Sequence, residues 1–372
     1  MNKVRHVLGI SGGKDSAALA IYLKAKYPSL DIEYYTCDTG KELKETYQLI
    51  DNLENYLGKK ITKLRAVENS HEKPFDHYFQ LHGGYLPSPL ARWCTKKLKL
   101  DPFEKFVGND PVVSYVGIRG DEERDGYISK KSNIQSIFPF RKNIWSEDVI
   151  NKFLNNANSK EVLHYYKEIV EDELKQKKII DVVKEPLSLK FNQKRKLNTL
   201  LDLGISEFNK VVFAFLKTTD YPLAKEEGFP ILDNEEILVQ DDIFRILEES
   251  GVGIPAYYMP TEFAVNGKKG QYARSRSGCF FCFFQQKIEW VWLYEQHPDL
   301  YKEAICYEEG GYKWMQDETL EELIQPSRIT KIKEDFLQKS NTIGKPYLNQ
   351  SASPYLLDIL DNGEEGCASC FL

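Results

Sequence analysis

The sequence lacks a net positive charge, a long apolar run, paired histidines and an even set of cysteines. Lys and Arg number 50 against 56 Asp and Glu, a formal charge of −6. No global positive field therefore draws the chain to nucleic acid, and any such contact must use a local basic patch. No stretch approaches the ~18 apolar residues a membrane span needs, which excludes a helical membrane protein. Residues 1–6 lead into a strand pattern without the apolar core of a signal peptide, so the expected location is the cytoplasm. Seven cysteines, an odd number, argue against a disulfide framework and for reduced thiols, metal ligands or catalysis. His6, His71, His77, His82, His164 and His297 form no pair at metal-ligand spacing, so imidazole does not organise a site. No period long enough for a repeat architecture is present.

What remains is the composition of a folded protein: 372 residues, 42% hydrophobic, 28% charged and a high 13% aromatic. Residues 4–10 form a mostly apolar run rich in β-branched side chains, followed by a Gly-containing turn. A helix-period segment comes next, with Ala17, Ala18, Ile21 and Tyr22 on one face. Strands at 32–37, 61–67 and 112–118 and helical stretches at 43–56 and near 88–106 continue the alternation. That pattern predicts an α/β fold with a twisted parallel sheet flanked by helices. The expected organisation is a nucleotide-binding core over 1–150, a helical insertion over 151–235, a return to the core over 236–310 and a C-terminal helical segment and tail over 311–372. The insertion is rich in Lys and Glu and carries the basic run Lys190-Phe191-Asn192-Gln193-Lys194-Arg195-Lys196.

The strongest signal is Ser11-Gly12-Gly13-Lys14-Asp15-Ser16, set between a predicted strand and helix. Free backbone N–H groups and the positive end of a helix converge there on an anion. The two glycines let backbone approach oxygen atoms closely, Lys14 supplies a charge, and Ser11 and Ser16 offer hydroxyl donors. A Walker A loop would need Gly where Leu8 stands and Ser or Thr where Asp15 stands, so this is a different phosphate cradle. Cys279-Phe280-Phe281-Cys282 has the spacing of half a metal site, for zinc or for an iron–sulfur cluster. Cys37, at a strand end, reads as a buried, inert thiol.

The Ser-Gly-Gly-Lys-Asp-Ser turn resembles the PP-loop of ATP pyrophosphatases and of the phosphoadenosine phosphosulfate reductase family. Further stretches carry the likeness: Cys37-Asp38-Thr39-Gly40-Lys41-Glu42, Arg92-Trp93-Cys94-Thr95-Lys96-Lys97-Leu98-Lys99 with Pro102, and Gly117-Ile118-Arg119-Gly120-Asp121-Glu122-Glu123-Arg124. The resemblance covers residues 1 to about 125, with a second block at 254–303. It implies ATP and Mg²⁺, with Lys14, Asp15 and Arg119 catalytic and with Ser11, Gly12, Gly13, Ser16, Asp38, Thr39, Gly40 and Gly117 around the nucleotide. Arg92, Lys96, Lys97, Lys99 and Arg124 are the implied anion-binding groups. Cys94, Cys279 and Cys282 match the ligands of a [4Fe–4S] cluster in some members, with zinc as the alternative. Cys306 is the nearest fourth ligand in sequence, and Cys367 and Cys370 form another C-x-x-C in the tail.

Trp93-Cys94 stands where sulfonucleotide reductases keep two adjacent cysteines, and their short cysteine tail is replaced by Gly366-Cys367-Ala368-Ser369-Cys370. The expected activity is therefore adenylation with pyrophosphate release coupled to sulfur transfer, similar to the component of DNA phosphorothioation systems. A cysteine desulfurase-like sulfur donor, nucleic acid on the insertion's basic run and a homo- or hetero-oligomer are the implied partners. The rivals are a phosphoadenosine or adenosine phosphosulfate reductase and a non-catalytic nucleotide-sensing subunit.

Overall fold

The structure, a computed structural model, describes residues 3–68, 70–123, 129, 131–308 and 310–343. Arg124, Cys367 and Cys370 lie outside the described residues. Its centre is a five-stranded parallel sheet of β1 (Arg5–Gly9), β2 (Ile32–Cys37), β3 (Ile61–Leu64), β4 (Val112–Tyr115) and β5 (Ile134–Ile137), in the order β3-β2-β1-β4-β5. Val7 pairs with Glu33 on one side and Ser114 on the other. The chain winds outward from β1 in one direction and resumes at β4 in the other. The carboxyl ends of β1 and β4 therefore flank a topological switch point, where such sheets leave a ligand crevice.

Strand β5 is absent from the sequence reading. Its four residues are all buried, but Gln135 and Ser136 break the apolar run. Gln135 is tolerated because its Oε1 accepts from the Leu223 amide at 3.1 Å.

Helix α1 (Lys14–Lys26) is buried on more than the expected face, from Lys14 through Leu23. The sheet takes one side, while α2 (Lys44–Leu57) and a later helix, Gln240–Glu249, pack along others. Beyond β3 come α3 (Pro74–Leu81), α4 (Trp93–Thr95), a π-helical turn at Lys96–Leu100 and α5 (Asp101–Val107). After β5, α6 (Glu147–Phe153) leads into α7 (Ser159–Ile169), α8 (Glu173–Lys184), α9 (Gln193–Leu203) and α10 (Ile205–Leu216). These helices share one hydrophobic cluster with Leu8 and α1, through Val162, Tyr166, Leu200, Phe208 and Val211 among others. The indole of Trp145 fixes α10 by donating to Asn209 Oδ1 at 2.9 Å.

The remaining elements are α11 (Gln240–Glu249), the antiparallel pair β6 (Thr261–Val265) and β7 (Lys268–Tyr272), and α12 (Lys287–Gln296), α13 (Pro298–Cys306), α14 (Leu320–Leu323) and α15 (Pro326–Ile343). They build a second core with much of the chain's aromatic content. Phe281 sits 4.5 Å from Phe75 and 4.7 Å from Trp314, centroid to centroid. Phe75 opens α3 and Leu43 caps α2, so this core grips the sheet domain. Truncating such a buried ring typically costs about 3–5 kcal/mol.

Candidate functional site

Strand β1 ends at Gly9, Ile10 remains in the core, and Ser11-Gly12-Gly13 turns into α1 with Gly13 as its N-cap. Gly13 has no side chain to cap that helix end, and the Tyr258 hydroxyl lies at the Lys14 amide, at the positive end of the helix. Gly12 is left-handed, φ 72°, and a Cβ there would lie 2.2 Å from Thr46 Cγ2 on α2. A Cβ on Gly117 would lie 2.9 Å from the Asp15 carbonyl oxygen, so the β4 end presses on the loop backbone. Ser16 Oγ accepts from the Ser11 amide at 3.2 Å and donates to the Gly13 carbonyl at 3.2 Å, closing the loop on itself.

Lys14, Asp15 and Arg119 meet in the structure, and all are buried. Lys14 Nζ donates to Asp15 Oδ2 at 3.0 Å, and Arg119 Nη1 donates to Asp15 Oδ1 at 2.7 Å. Burial would favour the protonated acid, but the two cations outweigh it and hold Asp15 well below the ordinary carboxylate range. Arg119 also pairs with Asp121 and Glu122, both at 2.9 Å. Its charge is thus matched within the protein, and it holds the loop through Asp15.

The turn after β2 is equally committed. Asp38 accepts from the Gly40 amide at 2.9 Å, from Tyr47 Oη at 3.1 Å and from Arg65 Nε at 3.0 Å. The Thr39 hydroxyl donates to Glu42 Oε1 at 2.5 Å and lies 3.2 Å from Cys279 Sγ, so the thiol is the donor in that contact. The Phe280 amide donates to the Lys41 carbonyl at 2.8 Å, and Glu42 and Cys279 form a β-bridge. The C-x-x-C segment is therefore stitched to the Asp38–Glu42 turn. Residues 274–278 lead it past the phosphate loop, where a Cβ on Gly13 would come 2.6 Å from Ser277 Oγ. From below, Tyr257 Oη donates to the Gly12 carbonyl at 3.0 Å, and Lys14 Nζ sits 5.1 Å from the Tyr258 ring centroid.

The described residues do not show the expected four-thiolate centre. Among the described residues no group of three or more His, Cys, Asp or Glu is placed to hold a metal ion. Cys279 is tied to Thr39, and burial joined by the Glu42 carboxylate holds its thiol far above the ordinary cysteine value. Cys94 and Cys282 are half-buried, while Cys306 is exposed at the end of α13. A [4Fe–4S] cluster or a closed zinc site needs convergent thiolates, and the tail thiols Cys367 and Cys370 lie outside the described residues. Mg²⁺ asks less, since it travels with phosphates and water and needs one or two carboxylates, and Asp38 and Glu42 stand together at this edge bridged by Tyr47 Oη. Cys37 is buried as expected, its thiol pushed up to about 12 by burial.

Of the expected anion groups, Lys97 pairs with Asp101 at 3.0 Å and lines a cavity of about 360 Å³ with Arg65, Tyr78 and Lys105. Lys96 is exposed, and Lys99 offers its carbonyl to Cys37 Sγ at 3.6 Å. Arg92 lies over one aromatic ring, Phe284, which Arg276 also approaches, at 5.1 and 5.2 Å. Tyr257 and Tyr258 fall in the second block of the resemblance, at 254–303, which assigns them no role, and Arg274 and Ser277 are the residues the sequence reading missed. The signal for those two was the Arg274-Ser275-Arg276-Ser277-Gly278 run just before the C-x-x-C, too polar to read as core and too far along the chain to connect with residue 13.

The domain is an α/β domain with a glycine-containing turn at the switch point of a parallel sheet. Residues 5–168 match the family profile described as "Phosphoadenosine phosphosulfate reductase domain", so this segment is similar to that domain. The chain is also 35% identical over 146 residues to an uncharacterized protein of Methanocaldococcus jannaschii, an alignment covering 36% of this chain and 28% of that protein. The chain thus spans under a third of that relative's length. No solved structure matches it. Among the described residues no helix is long and apolar enough to cross a membrane.

Proposed function

We propose that the chain binds ATP at loop 11–16 and catalyses adenylation of an acceptor coupled to sulfur transfer. The observation that carries this reading is the glycine turn and N-terminus of α1 beside buried Lys14 at the switch point of the sheet. An acceptor oxygen attacks the α-phosphorus, the bond to the β-phosphate breaks, and pyrophosphate leaves. The outer sulfur of a donor protein's persulfide then displaces AMP from the adenylated acceptor, and a second thiol attacks the remaining S–S bond, leaving the sulfur on the acceptor and the two thiols joined as a disulfide. The loop amides and Lys14 stabilise charge on the phosphates, while Arg119 keeps Asp15, and with it the loop, in place. Mg²⁺ bound with the phosphates would supply further charge neutralisation, and Asp38 and Glu42 are the carboxylates that would hold it.

Nucleic acid is the acceptor we favour, as in DNA phosphorothioation, and exposed Lys190, Lys194 and Arg195 are the contacts we assign to its phosphates. Lys196 takes no part, because it is buried and donates to the Val183 and Glu185 carbonyls at 2.9 and 2.6 Å. A second reading, direct reduction of a sulfonucleotide, is supported by the family matched over residues 5–168.

The test uses anaerobically purified wild type and Lys14→Ala with ATP and Mg²⁺, with and without duplex DNA, assaying pyrophosphate and AMP. Lys14-dependent pyrophosphate release that rises with DNA is expected. No ATP cleavage under any condition, with AMP formed from a sulfonucleotide and a dithiol instead, would move the assignment to the reductase.

A further inference from the structure

We propose that Arg274 is the counter-charge for the anionic ligand of the phosphate loop, a phosphate- or sulfate-bearing nucleotide, and that ligand binding acts through it to fasten residues 275–282 over the site. The proposal rests on the reading of loop 11–16 as a nucleotide site. The other buried cations around the loop are already matched: Lys14 by Asp15, Arg119 by Asp15, Asp121 and Glu122, and Lys41 by Asp76 and Glu303. Arg274 differs from all of them. It is 2% exposed, yet among the described residues it pairs with no carboxylate. Its Nη2 donates to two neutral oxygens, Cys279 O and Gln285 Oε1, both at 3.1 Å. Its Nε and Nη1 find no acceptor, nor does the neighbouring Gln285 Nε2. Glu289 is spent elsewhere, accepting from the Ser275 amide and hydroxyl and the Gln286 amide. A buried guanidinium without a counter-ion is costly, and an anion close by relieves that cost.

The phosphate loop is where such an anion would lie. The Arg274 guanidinium carbon is 5.9 Å from the Tyr257 ring centroid, and the Tyr257 hydroxyl donates to the Gly12 carbonyl at 3.0 Å. The Tyr258 hydroxyl is within electrostatic reach of both Asp15 and Arg274. One layer of tyrosines therefore separates the unmatched charge from the loop. Because Arg274 Nη2 also holds the Cys279 carbonyl, drawing the guanidinium toward an anion changes the footing of the C-x-x-C turn.

The test compares the full-length wild type, Arg274→Gln and Lys14→Ala by thermal melting and by calorimetric titration with ATP–Mg²⁺ and with inorganic pyrophosphate. We expect Arg274→Gln to melt no lower than wild type without ligand, since it removes an unmatched charge, but to bind both probes ~10-fold or more weakly and lose most of the ligand-induced rise in Tm. An Arg274→Gln protein that melts lower without ligand but keeps the full rise would make Arg274 a strut and overturn the proposal. If Lys14→Ala also keeps the full rise, the loop reading itself fails, which is a separate outcome. Should Arg274→Gln not fold, amide exchange on the wild type decides: ATP–Mg²⁺ must slow exchange across residues 275–282, and unchanged rates there would sink the idea.

Discussion

The sheet domain and the aromatic domain that follows it differ in how they treat one buried cation beside the crevice. Around β1 and β4, Lys14, Asp15, Arg119, Asp121 and Glu122 form a closed network in which every charge meets its opposite. In the later domain Arg274 is buried with neutral partners only, and the indole N–H of Trp290 is buried without an acceptor. A matched network fixes geometry and asks for nothing more. An unmatched buried cation leaves a domain whose electrostatics are completed from outside, so the two halves of the crevice differ in how strongly an anion stabilises them.

The largest expected effect tests the matched side. Lys14→Ala should lower pyrophosphate release at least ~100-fold, on the order of 3 kcal/mol of lost charge stabilisation, in a stopped assay at saturating ATP. Unchanged turnover would remove Lys14 from the chemistry. Next, Gly12→Ala must accept both a positive φ and a methyl group against Thr46, and should cost about 2–4 kcal/mol by urea denaturation. Adding Thr46→Ser should recover part of that loss, because it removes the clashing methyl but leaves the backbone strain. No recovery would mean the contact with α2 does not govern the loop.

A smaller effect probes the matched pairs of the later domain. Glu318 accepts two bonds of 2.6 Å from Arg328 and pairs with Lys287 at 2.6 Å. Those bonds, against an opposing effect of burial, hold its carboxyl down at about 2. A folded pKa depressed below the unfolded value contributes stability above about pH 4.5 and loses it as pH falls toward 2. The stability gap between wild type and Glu318→Gln should therefore be about 1–2 kcal/mol at pH 7, discounted for solvent contact, and close between pH 4.5 and 2. A gap that stays constant with pH would refute the assignment. The smallest effect separates the cations of the insertion. Lys196→Met should lower Tm by a few degrees without altering DNA retention, and Lys194→Gln should do the reverse. Equal effects in both assays would erase that distinction.

Much of the sheet domain is legible in the sequence because its signals are local. The run ending at Ile10, two glycines and a helix-period segment specify strand, turn and helix within about twenty residues, and strands β2 and β4 start where the pattern puts them. β5 escapes because Gln135 and Ser136 look like loop until Leu223 is brought beside them. α1 reads as amphipathic because the covering of its other side comes from α11, more than two hundred residues later. The site shows the same division. Lys14, Asp15 and Arg119 announce themselves by motif, whereas Tyr257 and Ser277 matter only through contacts with residues 12 and 13. The cysteines say less for a related reason: C-x-x-C spacing describes a turn able to present two thiols, and here Thr39 engages one of them.

The bond from Tyr257 to the Gly12 carbonyl also sets an order of events at the ribosome. The first strand and helix leave the exit tunnel long before residue 257 has been added, so for most of synthesis the phosphate loop lacks the hydroxyl that braces it and the segment that covers it. Contacts of such separation close late and slowly. A nascent chain halted before residue 257 would carry a sheet and a loose turn, and nucleotide in the cell would have little to hold until the last third of the protein had been made.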